Sequence, residues 1–288
     1  MNSTHPLAEF VPSKDYQREY ISREVNGIRD LDILRAAHRL HKNVLFEGPT
    51  GSSKTSIVYA YAASLDMPIV SINCNGNVDI KQLLGGWSPT TDGTWDFTPG
   101  HLVVAAMHGA VILFDEINFL PPKMASVAYS LLDKRRTVYL PDAVGSSFPS
   151  VFTAHPDTMI VGGMNPGYIG TRPLNQALRN RFAIQLDWGY NVEVEKQLVV
   201  SHALIDLASK LRQRAEVGDL MSPVPTNALM EFEEFAQDDN LGMEFAIENF
   251  ASRFDADERR VVREVIALHR PSIEAQLFGT AAAEGVSL

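Results

Sequence analysis

Phe46-Glu47-Gly48-Pro49-Thr50-Gly51-Ser52-Ser53-Lys54-Thr55 reads as a phosphate-binding loop with one departure. The Walker A pattern asks for Gly-x-x-x-x-Gly-Lys-Ser/Thr, and Ser53 stands where the second glycine belongs. Asn43 to Phe46 makes a short buried strand, and Lys54 onward, through Thr55, Ile57, Val58, Ala60, Tyr61 and Leu65, makes a helix packed on it. A turn of this composition, from Gly48 through Pro49, Thr50, Gly51 and Ser52 to Ser53, aims backbone N–H groups and the positive helix end at one spot. Lys54 then reaches the β- and γ-phosphates of ATP, and the Thr55 hydroxyl ligates Mg²⁺. Taken alone, the stretch is also compatible with a Gly/Ser-rich turn that happens to precede Lys-Thr.

A second run supplies what the loop lacks. Ala110-Val111-Ile112-Leu113-Phe114 is a fully apolar strand that ends in Asp115-Glu116, 61 residues after Lys54. At the carboxyl end of a parallel strand one carboxylate can hold Mg²⁺, the role that fits Asp115. The next, Glu116, can polarise the water that attacks the γ-phosphate. Acids that simply terminate a strand in solvent are the alternative, and the pairing with the loop argues against it.

With 288 residues and 45% hydrophobic content the chain can bury a large core and a smaller one. A net charge of −10 disfavours nucleic acid as a bulk electrostatic partner. Cys74 is the one cysteine, so an intrachain disulfide is ruled out, and at the end of Ser71-Ile72-Asn73-Cys74 it reads as a packing residue. No apolar run has the length of a membrane span, and Met1 to Pro6 lacks the features of a signal peptide. These features lead to the expectation of a soluble, cytoplasmic protein. The eight histidines are scattered without metal-ligand spacing.

Along the chain, residues 1–20 are expected as a loosely docked N-terminal arm, 21–190 as an α/β nucleotide-binding core, 191–270 as an α-helical lid and 271–288 as a frayed tail. Further strands are expected at Pro68 to Asn73, Thr158 to Met164 and Ala183 to Asp187. Strands alternating with helices in this order predict a parallel sheet. Two hairpins interrupt the alternation. Asp92-Gly93 marks one between Trp87 and Phe97, and Thr137 to Leu140 with Phe148 to Phe152 forms the other.

On these motifs the chain resembles the AAA+ ATPases, P-loop proteins with a parallel-sheet core and a small helical lid. Within that group it resembles the MoxR family, in the branch holding the CbbQ and NorQ proteins, the gas-vesicle protein GvpN and the small AAA+ subunit of cobaltochelatase. The resemblance covers about residues 20 to 235. It rests on Phe114-Asp115-Glu116-Ile117-Asn118, Pro99-Gly100-His101-Leu102, Asn165-Pro166-Gly167-Tyr168 and Leu174 to Phe182. It implies a hairpin within the second helix and another before the strand that ends at Asn165, facing a ring pore or a partner surface. Trp87, Trp95 and Phe97 either serve that surface or steady their own hairpin.

The same resemblance implies that Asn165 is a sensor of the γ-phosphate or attacking water, a turn cap being the plainer role. It implies that Arg181, with Arg179 close enough to share the task, is projected as an arginine finger toward a neighbouring subunit, surface ion pairing being the plainer role. A finger in trans requires a homo-oligomeric ring, by resemblance a hexamer. The implied function is Mg-ATP hydrolysis that remodels, activates or loads metal or cofactor into a client protein, commonly with a partner carrying a von Willebrand factor A domain. Two departures favour a nucleotide-gated scaffold with little turnover instead. One is Ser53; the other is the lack of any arginine from Met221 to Ala228, where relatives carry a sensor of the lid.

Overall fold

A computed structural model describes residues 5–74, 79–120, 122–165 and 173–279. Pro166 to Tyr168 of the sequence motif and the last nine residues of the tail lie outside these. Contacts divide the chain into two units. The first comprises the residues before Pro49 together with Ser53–Trp188, and the second comprises Pro49–Ser52 with Gly189 onward.

The first unit is built on strands β1 (Val44–Glu47), β2 (Ile69–Asn73), β3 (Val111–Asp115), β4 (Met159–Met164) and β5 (Ile184–Asp187). They form one sheet in the order β5-β1-β4-β3-β2. Every pairing is parallel. Period-2 alternation splits the apolar runs between two faces. Leu45, Ile112, Phe114 and Ile160 pack on one side with Leu102, Ala105, Met124, Ala128 and Leu131 of helices His101–His108 and Pro122–Leu132. Val44, Phe46, Val111, Leu113 and Val161 pack on the other with Leu34, Ala37, Ile57, Val58 and Tyr61 of helices Asp30–Arg39 and Lys54–Ser64. Coverage on both faces is why the three central strands, β1, β4 and β3, carry no polar residue in mid-strand, while the outer strands β2 and β5 admit the exposed Ser71 and Gln185.

Both expected hairpins are present, Gly85–Pro89 with Trp95–Pro99 and Thr137–Tyr139 with Val151–Thr153. They are tied together: Trp87 Nε1 donates to the Asp142 carbonyl at 2.8 Å, and Ser147 bonds the Asp96 carboxylate. Phe97 is buried and Trp95 is exposed.

The loosely docked arm requires correction. Leu7 is buried, His5 Nε2 bonds the Gly109 carbonyl at 2.9 Å, and Lys14 Nζ donates to the Ala63 carbonyl at 2.6 Å. Tyr16 lies 5.0 Å from Tyr59. Isolated apolar residues at irregular spacing anchor the arm, and such spacing has no periodic signature. A third hairpin, Glu24–Val25 with Ile28–Arg29, was also absent from the sequence reading. Its signal is Asn26-Gly27, both at positive φ as a two-residue hairpin turn demands.

The second unit contains helices Val192–Leu198, His202–Glu216, Thr226–Gln237, Gly242–Ser252 and Arg259–Phe278. The last continues through Pro271, where fraying was expected. Ile273 is fully buried and Leu277 packs on the core, which offsets the one intrahelical bond that proline removes. The core of this unit closes over a buried ion pair. Arg212 donates to both oxygens of Glu195 at 2.9 and 2.6 Å, and Thr226 Oγ1 donates to Glu195 at 2.7 Å. The guanidinium also donates to the Val224 carbonyl and stacks 3.7 Å over the Tyr190 ring.

Removing one partner of such a pair leaves the other buried without compensation. Glu195→Ala should therefore destabilise the second unit by about 3–5 kcal/mol. Urea unfolding followed by far-UV circular dichroism measures this, and a loss below about 1 kcal/mol would show the pair to be incidental.

Candidate active site

The register of the sheet gathers the candidate residues at one edge. Met164 stands level with Glu47, Gly162 with Phe114, and Asn73 with Asp115. The strands thus end together, and the loop after β1, Asp115-Glu116 after β3 and Asn165 after β4 emerge side by side.

The root of the phosphate loop is fixed by backbone packing. Gly48 N–H donates to the Met164 carbonyl at 3.1 Å, and Trp188 N–H donates to the Glu47 carbonyl at 2.6 Å. A Cβ on Gly48 would sit 1.9 Å from the Trp188 carbonyl oxygen, so only glycine fits. The buried Trp188 ring meets Phe46 in an edge-to-face contact at 4.6 Å, and the Arg23 guanidinium lies 3.2 Å over the Trp188 ring. The tip, Pro49–Ser52, groups with the second unit, where Tyr190 donates its hydroxyl to the Thr50 carbonyl at 2.7 Å. A Cβ on Gly51 would meet Pro225 Cβ at 2.4 Å. Ser52 Oγ closes the tip on the Pro49 carbonyl at 2.7 Å.

Ser53 has φ of +70° and ψ of 24°, the left-handed conformation that the glycine of the usual pattern adopts freely. The departure from the motif is therefore accommodated at a backbone cost. Lys54 is buried, and its Nζ donates to the Gly48 carbonyl at 2.8 Å. Burial pushes the ammonium down to about 8, opposed by Asp115 and Glu116 and reinforced by Arg23.

Thr55 Oγ1 donates to Asp115 Oδ2 at 2.9 Å, and the Glu116 N–H donates to Asp115 Oδ1 at 3.1 Å. A Cβ on Gly163 would lie 3.1 Å from Asp115 Oδ1, so the bare backbone of β4 leaves room for that carboxylate. Glu116 itself is left-handed, at φ +52°, a strained setting for a residue with a side chain. Asn165 Nδ2 donates to Glu116 Oε1 at 3.3 Å. Hydroxyl and carboxylate oxygens meeting beside a lysine are a hard donor set that suits Mg²⁺ carried by a nucleotide. Cys74 N–H donates to the Asp115 carbonyl at 2.9 Å, while burial, with Asp115 and Glu116, pushes its thiol up to about 12, consistent with packing.

The two arginines do not share a place. Arg179 reaches the carboxyl end of β1, where it pairs with Glu47 at 2.8 Å. Arg181 points toward the opposite end. Its carbonyl accepts from Asn43, the residue before β1, at 2.9 Å. Its guanidinium lies 4.8 Å over Tyr129 and borders an open groove of about 440 Å³ with Asp133, Arg135 and Tyr139. Glu47, Gly163 and Trp188 went unread in the sequence; only the Gly162-Gly163 pair inside an apolar strand hinted at a close approach.

Residues 43–182, from the residue before β1 to the end of the Arg181 segment, match the AAA domain of the dynein-related subfamily. An uncharacterized protein of Staphylococcus aureus (strain USA300) is 30% identical over 184 residues, covering 62% of this chain and 68% of that one. The chain belongs to the AAA family. An uncharacterized protein of Staphylococcus haemolyticus is 32% identical over 177 residues, 60% of this chain. The chain spans 64% of that relative's length. A crystal structure of NtrX from Brucella abortus aligns with this chain at a TM-score of 0.49 and 13% identity, over 92% of this chain and 65% of that one. The AAA domain matched here contains the phosphate loop, Asp115-Glu116, Asn165 and both arginines.

The left-handed Ser53 supplies a direct test of this AAA domain. Ser53→Gly should relieve backbone strain and stabilise the first unit by about 1 kcal/mol. Thermal unfolding should move up by several degrees with nucleotide affinity unchanged or tighter. A fall in both would instead make the Ser53 hydroxyl a ligand.

Proposed function

We propose that this chain is a MoxR-like AAA+ ATPase that forms a homo-oligomeric ring and hydrolyses Mg-ATP to remodel, activate or load metal or cofactor into a client protein. The observation that supports it most is the continuous line of hydrogen bonds from Thr55 through Asp115 and Glu116 to Asn165 at the carboxyl edge of the sheet. In this reading Gly48 to Ser53 supply the phosphate cradle and Lys54 leaves the Gly48 carbonyl to meet the β- and γ-phosphates. Thr55 and Asp115 would hold the metal. Magnesium, when bound, neutralises charge on the phosphate oxygens. Glu116 takes the proton of the attacking water as the water oxygen bonds to the γ-phosphorus and the bond from that phosphorus to the β,γ-bridging oxygen breaks, giving ADP and inorganic phosphate. Asn165 orients that carboxylate.

Arg181 is the finger offered to the neighbouring subunit, since its direction away from its own loop suits action in trans. Arg179, held by Glu47, becomes a brace of the loop root rather than a second finger. Residues 21–190 form the hydrolytic core and 191–278 the lid, extended past the expected boundary at 270 by the last helix, with a docked arm before. The protein works in the cytoplasm, and a partner with a von Willebrand factor A domain fits the MoxR reading. The described residues include no helix long and apolar enough to cross a membrane. The second reading, a nucleotide-gated scaffold, is favoured by the strain at Ser53 and the arginine-free stretch from Met221 to Ala228.

Lys54→Ala should abolish ATP binding in calorimetry. Glu116→Gln should keep ATP bound while turnover falls by about 10²–10⁴-fold. Parent-rate hydrolysis by Glu116→Gln would remove Glu116 from the chemistry. Parent-like ATP binding with negligible turnover in the unaltered chain would select the scaffold.

Arg181→Ala alone should lose about 10³-fold or more in turnover while its own site still binds ATP. Mixed with Glu116→Gln subunits it should regain activity, because some interfaces then pair an intact Glu116 with an intact Arg181. Full activity of Arg181→Ala, or a monomer by light scattering with ATP present, would end the trans-finger reading.

A further inference from the structure

Acidic residues outnumber basic ones two to one between residues 189 and 288, so nearly every cation there finds a carboxylate. Lys196, Arg212, Arg253, Arg260, Arg263 and Arg270 all form ion pairs within their unit. Arg259 is spent on the Phe254 carbonyl at 3.0 Å. Lys210 and Arg214 remain, and neither pairs with a carboxylate among the described residues. They sit four residues apart on helix His202–Glu216, hence on one face.

That face borders a groove of about 400 Å³ shared with helix Arg259–Phe278. Val265 lines its floor, and Val217 and Leu268 stand at its rim, 74% and 80% exposed. Both are aliphatic side chains left almost wholly in water beside two unpaired cations. His269 links the two helices. Its Nδ1 donates to the Val265 carbonyl at 2.8 Å, so Nε2 is the acceptor for Lys210 Nζ at 2.9 Å. The bond holds the ammonium at the groove through a neutral acceptor rather than a carboxylate. No acidic residue lines the groove.

We propose that this groove docks an acidic amphipathic segment of a partner protein. Aliphatic side chains of the segment cover Val217, Val265 and Leu268, and its carboxylates reach Lys210 and Arg214. Cations left unpaired in a unit with excess carboxylate select an anionic ligand, and the exposed aliphatics require that ligand to carry an apolar stripe. Two copies of the groove facing each other would set cations against cations, so a symmetric contact between chains does not suit it.

The test uses the full chain and a fluorescein-labelled peptide of about 15 residues, with Leu at helical spacing and Glu flanking it. Fluorescence anisotropy should report saturable binding, weakened about tenfold or more when salt rises from about 0.05 to 0.5 M. The same peptide with Lys for Glu should not bind. Lys210→Glu combined with Arg214→Glu, and separately Leu268→Asp, should each weaken binding about tenfold or more. Basal ATP turnover and the unfolding temperature should stay at the parent values, because these positions lie outside the catalytic residues. Equal binding of the Lys peptide to the unaltered chain, or no saturation up to about 1 mM, would overturn the proposal. So would unchanged affinity in the variants. A change of oligomeric mass in the groove variants by light scattering would assign the groove to another copy of this chain and overturn it as well.

Discussion

Strand β4 is paired on both sides, and those two ladders of backbone hydrogen bonds are the constraint on which the catalytic edge depends. On one side Met164 is level with Glu47; on the other Gly162 is level with Phe114. The Gly48 N–H extends the first ladder by one residue into the phosphate loop. Because side chains alternate with a period of two, a slip of one residue would turn Asp115 to the wrong face and carry Asn165 past Glu116. Apolar burial on both faces of the sheet opposes any such slip, since every mid-strand side chain would have to exchange environments.

The edge carries several local costs at once. Ser53 and Glu116 both hold left-handed backbone conformations that residues with side chains disfavour. Lys54 is an ammonium held largely out of water, and its depressed proton affinity reports that penalty. The surrounding structure over-determines these features. Trp188 caps the loop root through its backbone, and its ring is held by Phe46 and by the Arg23 guanidinium. Strain that persists within so rigid a frame suits a site that must be preorganised for phosphate and water.

Charge is handled differently in the second unit. Its core encloses a fully hydrogen-bonded Glu195–Arg212 pair, and Glu233 accepts from the N–H groups of Val200 and Ser201 at 2.9 and 2.6 Å. The surface carries ion pairs along and between helices, most of them exposed and individually weak. Against that background Lys210 and Arg214 stand apart because, among the described residues, neither forms an ion pair with a carboxylate.

The sequence by itself determined the elements whose physics is local. Apolar runs ending in acids marked the buried strands, Asp92-Gly93 marked a hairpin, and the Gly48 to Thr55 run marked the loop, even with Ser53 out of pattern. A phosphate loop and an acidic strand end are each made by neighbours in the chain, so adjacency preserves their signal. Tertiary structure alone decided what depends on residues far apart. It set Gly48 against Trp188, Gly163 against Asp115, and Arg179 on Glu47 while Arg181 turned to Tyr129. It docked the arm through Leu7 and Tyr16 and carried the last helix past Pro271 because Ile273 is buried. Side-chain direction and close backbone approach follow from packing between distant segments, and no periodicity or spacing in the chain encodes them.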